Sequence, residues 1–170
     1  RVVYARAGAI GWVRIDDGKV NAMSTTLMTE LNEALDQAES DGTVVVLTGR
    51  PGVFSAGFDL SVFDSGYEPT MDMLRMGAKP NQRILAFPTP VVVACSHGIA
   101  MGSVILMGAD YRIGVKGAFK IGMNEVAIGM TLPYFAIEIA RRRLAPTYFD
   151  RATVLAELYA PSDAIAPGFL

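Results

Sequence analysis

Apolar and polar positions recur with two different periods along this chain, and the changes of period mark its elements. Val2–Ala7 and Ile10–Asp16 read as strands around a turn at Gly8. In the second, Trp12, Arg14 and Asp16 oppose Gly11, Val13 and Ile15, a period of two. The polar loop DDGKVNAMS follows, and Ser24 is a good N-cap. From Thr25 to Ser40 the period turns helical, with Leu27, Leu31, Ala34, Leu35 and Ala38 on one face. TVVVLT and PVVVAC are continuous apolar runs, the pattern of strands buried on both faces of a sheet.

The remaining elements are shorter. Asp64–Thr70 is polar and expected to be mobile. Met71–Ala86 has helical character, with Pro80 expected to break or kink it. Phe87-Pro88-Thr89-Pro90 should be extended. Tyr111–Gly114 and Ala118–Ile121 read as short strands around Lys116-Gly117. Tyr134–Arg143 predicts a helix whose basic end suits its dipole. Pro146 opens another, to about Leu158, and Pro161–Ala166 forms a last turn. Strands alternating with helices predict an α/β architecture, and 170 residues fit one domain, 1–170.

Composition narrows the class. The chain is 51% hydrophobic and 19% charged, which predicts extensive burial and subunit contacts that hide further apolar surface. The net charge is −2 and there is no basic run, so a nucleic-acid partner is not expected. One cysteine, Cys95, cannot form an internal disulfide, which suits a reducing compartment. No charged region precedes an apolar core at the start, so no signal peptide is read there. Residues Ile84 to Ala109 lack Asp, Glu, Lys and Arg over a length that could span a membrane. Pro88, Pro90, Ser96, His97 and Gly98 divide that stretch, so a buried strand and a buried helix explain it better. A cytoplasmic protein without membrane partner is therefore expected. No metal-ligand cluster and no dinucleotide fingerprint appear.

Candidate chemistry gathers at two small-residue turns. TVVVLT leads to Ala56-Gly57-Phe58-Asp59, and PVVVAC leads to Ala100-Met101-Gly102-Ser103. Small residues past a buried strand allow close backbone approach. If the strands are neighbours, the Phe58 and Met101 N–H groups can converge on one oxygen and stabilise an enolate. Spacing alone fits two ordinary tight turns equally. Cys95 is a core thiol or, with His97 close in sequence, a nucleophile. His97, the only histidine, fits a satisfied, partly buried imidazole better than a catalytic one. Asp59 and Asp110 fit structural roles, accepting from turn N–H groups. From the residues alone, Glu125 is a strand-end acid in a salt bridge or cap.

TGRPGVFSAGFDL, PVVVACSHGIAMGSVILMGADYRIG and FKIGMNEVAIGM resemble the crotonase (enoyl-CoA hydratase/isomerase) superfamily in order and spacing, from about Gly11 to the last residue. The resemblance implies a spiral of ββα units, assembled as trimers or dimers of trimers, and an acyl-CoA thioester as ligand. Coenzyme A would enter as part of the substrate, with no separate cofactor. The oxyanion donors map to Phe58 and Met101, the latter usually a glycine in the family. CoA contacts map to Lys19, Val20 and Ala22 and to Ala56, Asp59 and Leu60. Met101, Met107, Met123 and Met130 are core filling or an adaptable acyl pocket, to which Val104 and Met130 are assigned.

Of the two glutamates of the family's hydratases, one maps to Glu125, and Val104 stands in place of the other. One carboxylate suits a proton shuttle, as in the family's Δ3,Δ2-enoyl-CoA isomerases. Hydration of 2-enoyl-CoA is the enzymatic alternative, and a non-catalytic acyl-CoA-binding homologue is the alternative of another class. Family chains are usually longer, with a C-terminal helical part, and Pro80 falls where a helix normally borders the acyl pocket.

Overall fold

A computed structural model describes residues 1–170. Strands β1 (Val2–Ala7) and β2 (Ile10–Ile15) pair antiparallel across the Gly8 turn. Helix α1 (Thr25–Ser40) begins where the Ser24 hydroxyl accepts from the Leu27 N–H, 3.2 Å away. It lays Leu27, Met28, Leu31, Leu35 and Ala38 against the sheet. Strands β3 (Val44–Thr48) and β4 (Val91–Cys95) run parallel, and the five-stranded sheet has the order β1-β2-β3-β4-β6, with β6 at Tyr111–Gly114. Val45, Leu47, Val91, Val93 and Cys95 point into the core and are fully buried. Their alternate neighbours are half-buried, so the two apolar runs are dry on one face rather than both.

Helix α2 (Tyr67–Leu85) corrects two expectations. The polar segment 64–70 has regular structure: Leu60–Ser65 is a 3₁₀ turn capped by Asp59, and the helix starts at Tyr67. Of the break or kink expected at Pro80, the break does not occur, and the helix continues through it. Proline leaves the Met76 carbonyl without its i+4 donor, a cost of about 3 kcal/mol. Burial of Met73, Pro80 and Ile84 on the same face offsets it, at roughly 1.5–3 kcal/mol per large apolar side chain.

A second, smaller sheet was not legible in the sequence. β5 (Gly98–Ile99) pairs parallel with β7 (Ile121–Gly122), so the strand expected over 118–121 is shorter and displaced toward the glycine. Single bridges extend this layer from Ser55 through Gly98 and Ile121 to Tyr159. Between the rungs lies helix α3 (Met101–Gly108), all of whose residues are buried. Helix α4 (Tyr134–Arg143) has the expected bounds, while α5 (Pro146–Thr153) ends before Leu158. No helix is long and apolar enough to cross a membrane.

Candidate active site

The small sheet assembles the site. Phe58 lies three residues past the Ser55 rung, Met101 three past Gly98, and Glu125 three past Gly122. Backbone bonds tie these rungs together: Ile99 N–H donates to Ser55 O (3.1 Å) and Ala100 N–H to Gly122 O (2.9 Å). The two donor-bearing turns are in contact. A Cβ on Gly57 would sit 2.6 Å from Ala100 Cβ and 3.4 Å from Met101 N. Gly57 has φ +97 and Ala100 φ +51, so both turns use the left-handed half of backbone space. For alanine this is a strained state, held by its surroundings. The Phe58 and Met101 N–H groups make no hydrogen bond within the chain, although the preceding Gly57 and Ala100 N–H groups both do. Two free, adjacent donors are what a developing oxyanion requires.

Side chains that the sequence did not single out hold this geometry. Ser103 is fully buried at the start of α3. Its hydroxyl donates to Gly98 O (2.6 Å) and accepts from Gly122 N–H (2.8 Å), joining β5 to β7. Ser55 donates to Asn21 O (2.8 Å) and accepts from Gly57 N–H (3.1 Å). Asn21, buried at φ +54, donates to Ile15 O and Phe54 O, both at 3.0 Å. The only sequence signal for them is a small polar residue inside an otherwise apolar turn, and many surface turns share it. Ser103→Ala would remove a buried hydrogen-bond partner from both the Gly98 carbonyl and the Gly122 N–H. It is expected to destabilise the fold by about 2–3 kcal/mol, measured by urea denaturation.

Glu125 is 4% exposed and has neither a salt bridge nor a capping bond. One carboxylate oxygen, Oε2, is buried without a partner. Burial pushes its pKa up to about 7, opposed only by a hydrogen bond to its own backbone. The strand-end salt bridge or cap expected from sequence alone is therefore absent. Met130 lies close by, its N–H donating to Glu125 O at 2.9 Å. Val104 is 1% exposed, one helical turn beyond Met101. The two loops assigned to CoA meet where Ala56 N–H donates to Val20 O (3.0 Å). Lys19 lies in the same loop, its carbonyl held by Arg50 (2.9 Å). Ala22 is half-buried, its N–H bound to Asp17, and Val20 and Leu60 remain exposed apolar side chains.

The other candidates have structural surroundings. Cys95 is fully buried, with its thiol pushed up to about 12 by desolvation, the surroundings of an inert core thiol rather than of a nucleophile. His97 Nδ1 accepts from the Lys120 N–H (3.2 Å); burial, then the Lys120 charge, lower its pKa. Asp110 accepts from Val91 N–H (2.8 Å) and Asp59 from Ser61 N–H (3.1 Å). Met101, Met107 and Met123 are core residues. No group of three or more His, Cys, Asp or Glu lies close enough to hold a metal ion.

A mostly parallel sheet, a second small sheet and two small-residue turns brought into contact define an α/β fold with a backbone-donor site, and comparison with known proteins identifies its family. Residues 5–170 match the family model described as enoyl-CoA hydratase/isomerase, and the chain belongs to that family. It is similar to a probable enoyl-CoA hydratase of Bacillus subtilis, 34% identical over 83% of this chain and 54% of the relative. It is also similar to the human mitochondrial enoyl-CoA delta isomerase 1, 27% identical over 99% of this chain and 58% of the relative. The chain thus spans a little over half the length of these curated relatives. Among solved structures, an enoyl-CoA hydratase/isomerase family protein from Pseudomonas syringae superposes with a TM-score of 0.97 at 44% identity. That match covers 99% of this chain and 74% of the other.

Proposed function

We propose that the protein is a Δ3,Δ2-enoyl-CoA isomerase. The Phe58 and Met101 N–H groups donate to the thioester carbonyl. Glu125, as carboxylate, removes the proton from C2 of a 3-enoyl-CoA, and the negative charge moves onto the carbonyl oxygen as a dienolate. The same carboxyl returns the proton to C4, and the double bond ends between C2 and C3. Proton and electrons balance with no water and no second acid. Lys19, Val20, Ala22, Ala56, Asp59 and Leu60 border the CoA portion, and Val104 and Met130 the acyl chain. Coenzyme A is part of the substrate and no resident cofactor is needed. A homotrimer or dimer of trimers is the proposed assembly.

The observation that carries this choice is a lone buried acid. Glu125 is desolvated and unpaired, and the residue at the second acid position of hydratases is the apolar Val104. A pKa near 7 suits a group that must accept and then release a proton at neutral pH. Hydration would need a further polar group to orient water, and both hydratase and isomerase names occur among the relatives. The test is a rate comparison on one preparation. Conversion of 3-hexenoyl-CoA to 2-hexenoyl-CoA is expected to exceed hydration of 2-hexenoyl-CoA by at least about 100-fold, the worth of a missing acid–base group. Faster hydration would make the protein a hydratase. Binding without turnover of either substrate would make it a non-catalytic homologue.

A further inference from the structure

We infer that Gly77, with Asn81 one turn later on α2, is the positioning seat that sets how the two oxyanion donors converge. The inference rests on the isomerase reading and adds a residue to it. Gly77 is buried in the middle of a nineteen-residue helix and does not need glycine for its backbone. Mid-helix glycine costs roughly 0.5–1 kcal/mol against alanine, so a steric reason for it must lie outside the helix. The contacts supply one. A Cβ at 77 would lie 2.5 Å from Phe58 Cζ, 2.7 Å from Phe58 Cε1 and 3.3 Å from Met101 Cε. One bare Cα therefore touches the side chains of both residues whose N–H groups form the hole, although they come from different turns.

Asn81 completes the seat. It is 1% exposed, donates to Gly77 O (2.9 Å), and reaches Met101 Sδ at 3.8 Å. The methionine side chain is thus held at its methyl by Gly77 and at its sulfur by Asn81. Phe58 is held at its ring edge by the same Gly77. A shift of α2 would move both donors together, because each backbone N–H follows a side chain lodged against that helix. Gly77 and Asn81 touch no reacting atom in this scheme and act only through Phe58 and Met101.

The experiment compares Gly77→Ala with the parent protein in three measurements. These are kcat and KM for 3-hexenoyl-CoA, the thermal midpoint, and the infrared carbonyl shift of a bound, ¹³C=O-labelled saturated hexanoyl-CoA. Displacing a donor by up to about 1 Å is expected to lower kcat by as much as about 100-fold. KM should change little, the thermal midpoint should fall modestly as the packed site takes the extra methyl, and the red shift of the carbonyl should shrink. Gly77→Ala/Phe58→Leu, which removes the ring atoms facing the new methyl, is expected to restore much of the shift and rate. A Gly77→Ala protein with parental kcat and parental carbonyl shift overturns the inference and leaves the isomerase reading standing. A parent protein without any carbonyl shift sinks the oxyanion hole itself. Should Gly77→Ala fail to fold, Asn81→Leu carries the same test through the Met101 sulfur: a reduced shift supports the seat, and an unchanged shift overturns it.

Discussion

Glu125→Gln is expected to lower isomerisation of 3-enoyl-CoA by about 10³–10⁴-fold while leaving acyl-CoA binding intact. General acid–base groups contribute typically 10²–10⁴-fold, and here one group takes and returns the same proton, so the upper end applies. Glutamine keeps the size of the side chain but replaces one carboxylate oxygen with NH₂ and leaves no oxygen basic enough to take the proton. Burial raises the Glu125 pKa to about 7, and only the carboxylate form can start the reaction. The kcat/KM of the parent should therefore fall about tenfold per pH unit below 7 and level off above it. Stability should move the opposite way. The folded state holds this proton more tightly than the unfolded chain does. It is therefore destabilised as pH rises from 4.5, the ordinary glutamate value, to about 7, and the penalty is full above that. A shift of this size corresponds to about 3 kcal/mol. Glu125→Gln should be more stable than the parent at pH 8 by an amount of that order, with the gap closing at pH 4. Paired urea titrations at the two pH values check the sign. A variant as active as the parent would remove Glu125 from the mechanism.

Gly57→Ala is expected to cost about 10²–10³-fold in kcat, the range for losing an oxyanion donor. Two effects add. The backbone at 57 has φ +97, where a side chain is strained, and the new methyl would lie 2.6 Å from Ala100 Cβ. Since Ala100 is itself at φ +51 and leads directly into Met101, a push there swings the second N–H as well as the first. Binding of free CoA, measured by calorimetry, should change less than kcat, because the Lys19–Ala22 part of the proposed CoA site is anchored through Asn21 to Ile15 and Phe54 rather than through residue 57. Parental kcat in Gly57→Ala would contradict the convergence of the two turns.

These two predictions differ in how far the sequence alone supported them. The apolar runs that became β3 and β4 were legible because a buried strand between small-residue turns has few alternatives, and the two strands are neighbours whose following turns meet at Gly57 and Ala100. The bounds of α4 were legible because Pro133 precedes it and three arginines end it. The two-residue rungs of the small sheet were not. Gly98–Ile99 and Ile121–Gly122 are too short to show a period, and the Ser103 hydroxyl that bridges them comes from another element. Pro80 misled for a related reason: a local rule about proline was outweighed by burial of the helix face that carries it. The environment of Glu125 was likewise invisible, since a carboxyl next to Asn124 and Val126 looks the same in sequence whether it is paired at the surface or orphaned inside.

That orphaned carboxyl is the centre of the proposed mechanism, and its task is to carry one proton from C2 to C4. Turnover of 3-hexenoyl-CoA carrying deuterium at C2, in ordinary water, reads this directly. Glu125 is 4% exposed, so its proton should exchange with solvent slowly relative to transfer. The account predicts 2-hexenoyl-CoA with measurable deuterium at C4 in early turnovers, lost in Glu125→Gln together with the activity. A product with no deuterium at C4 from the first turnover would contradict a single carboxyl acting as both base and acid.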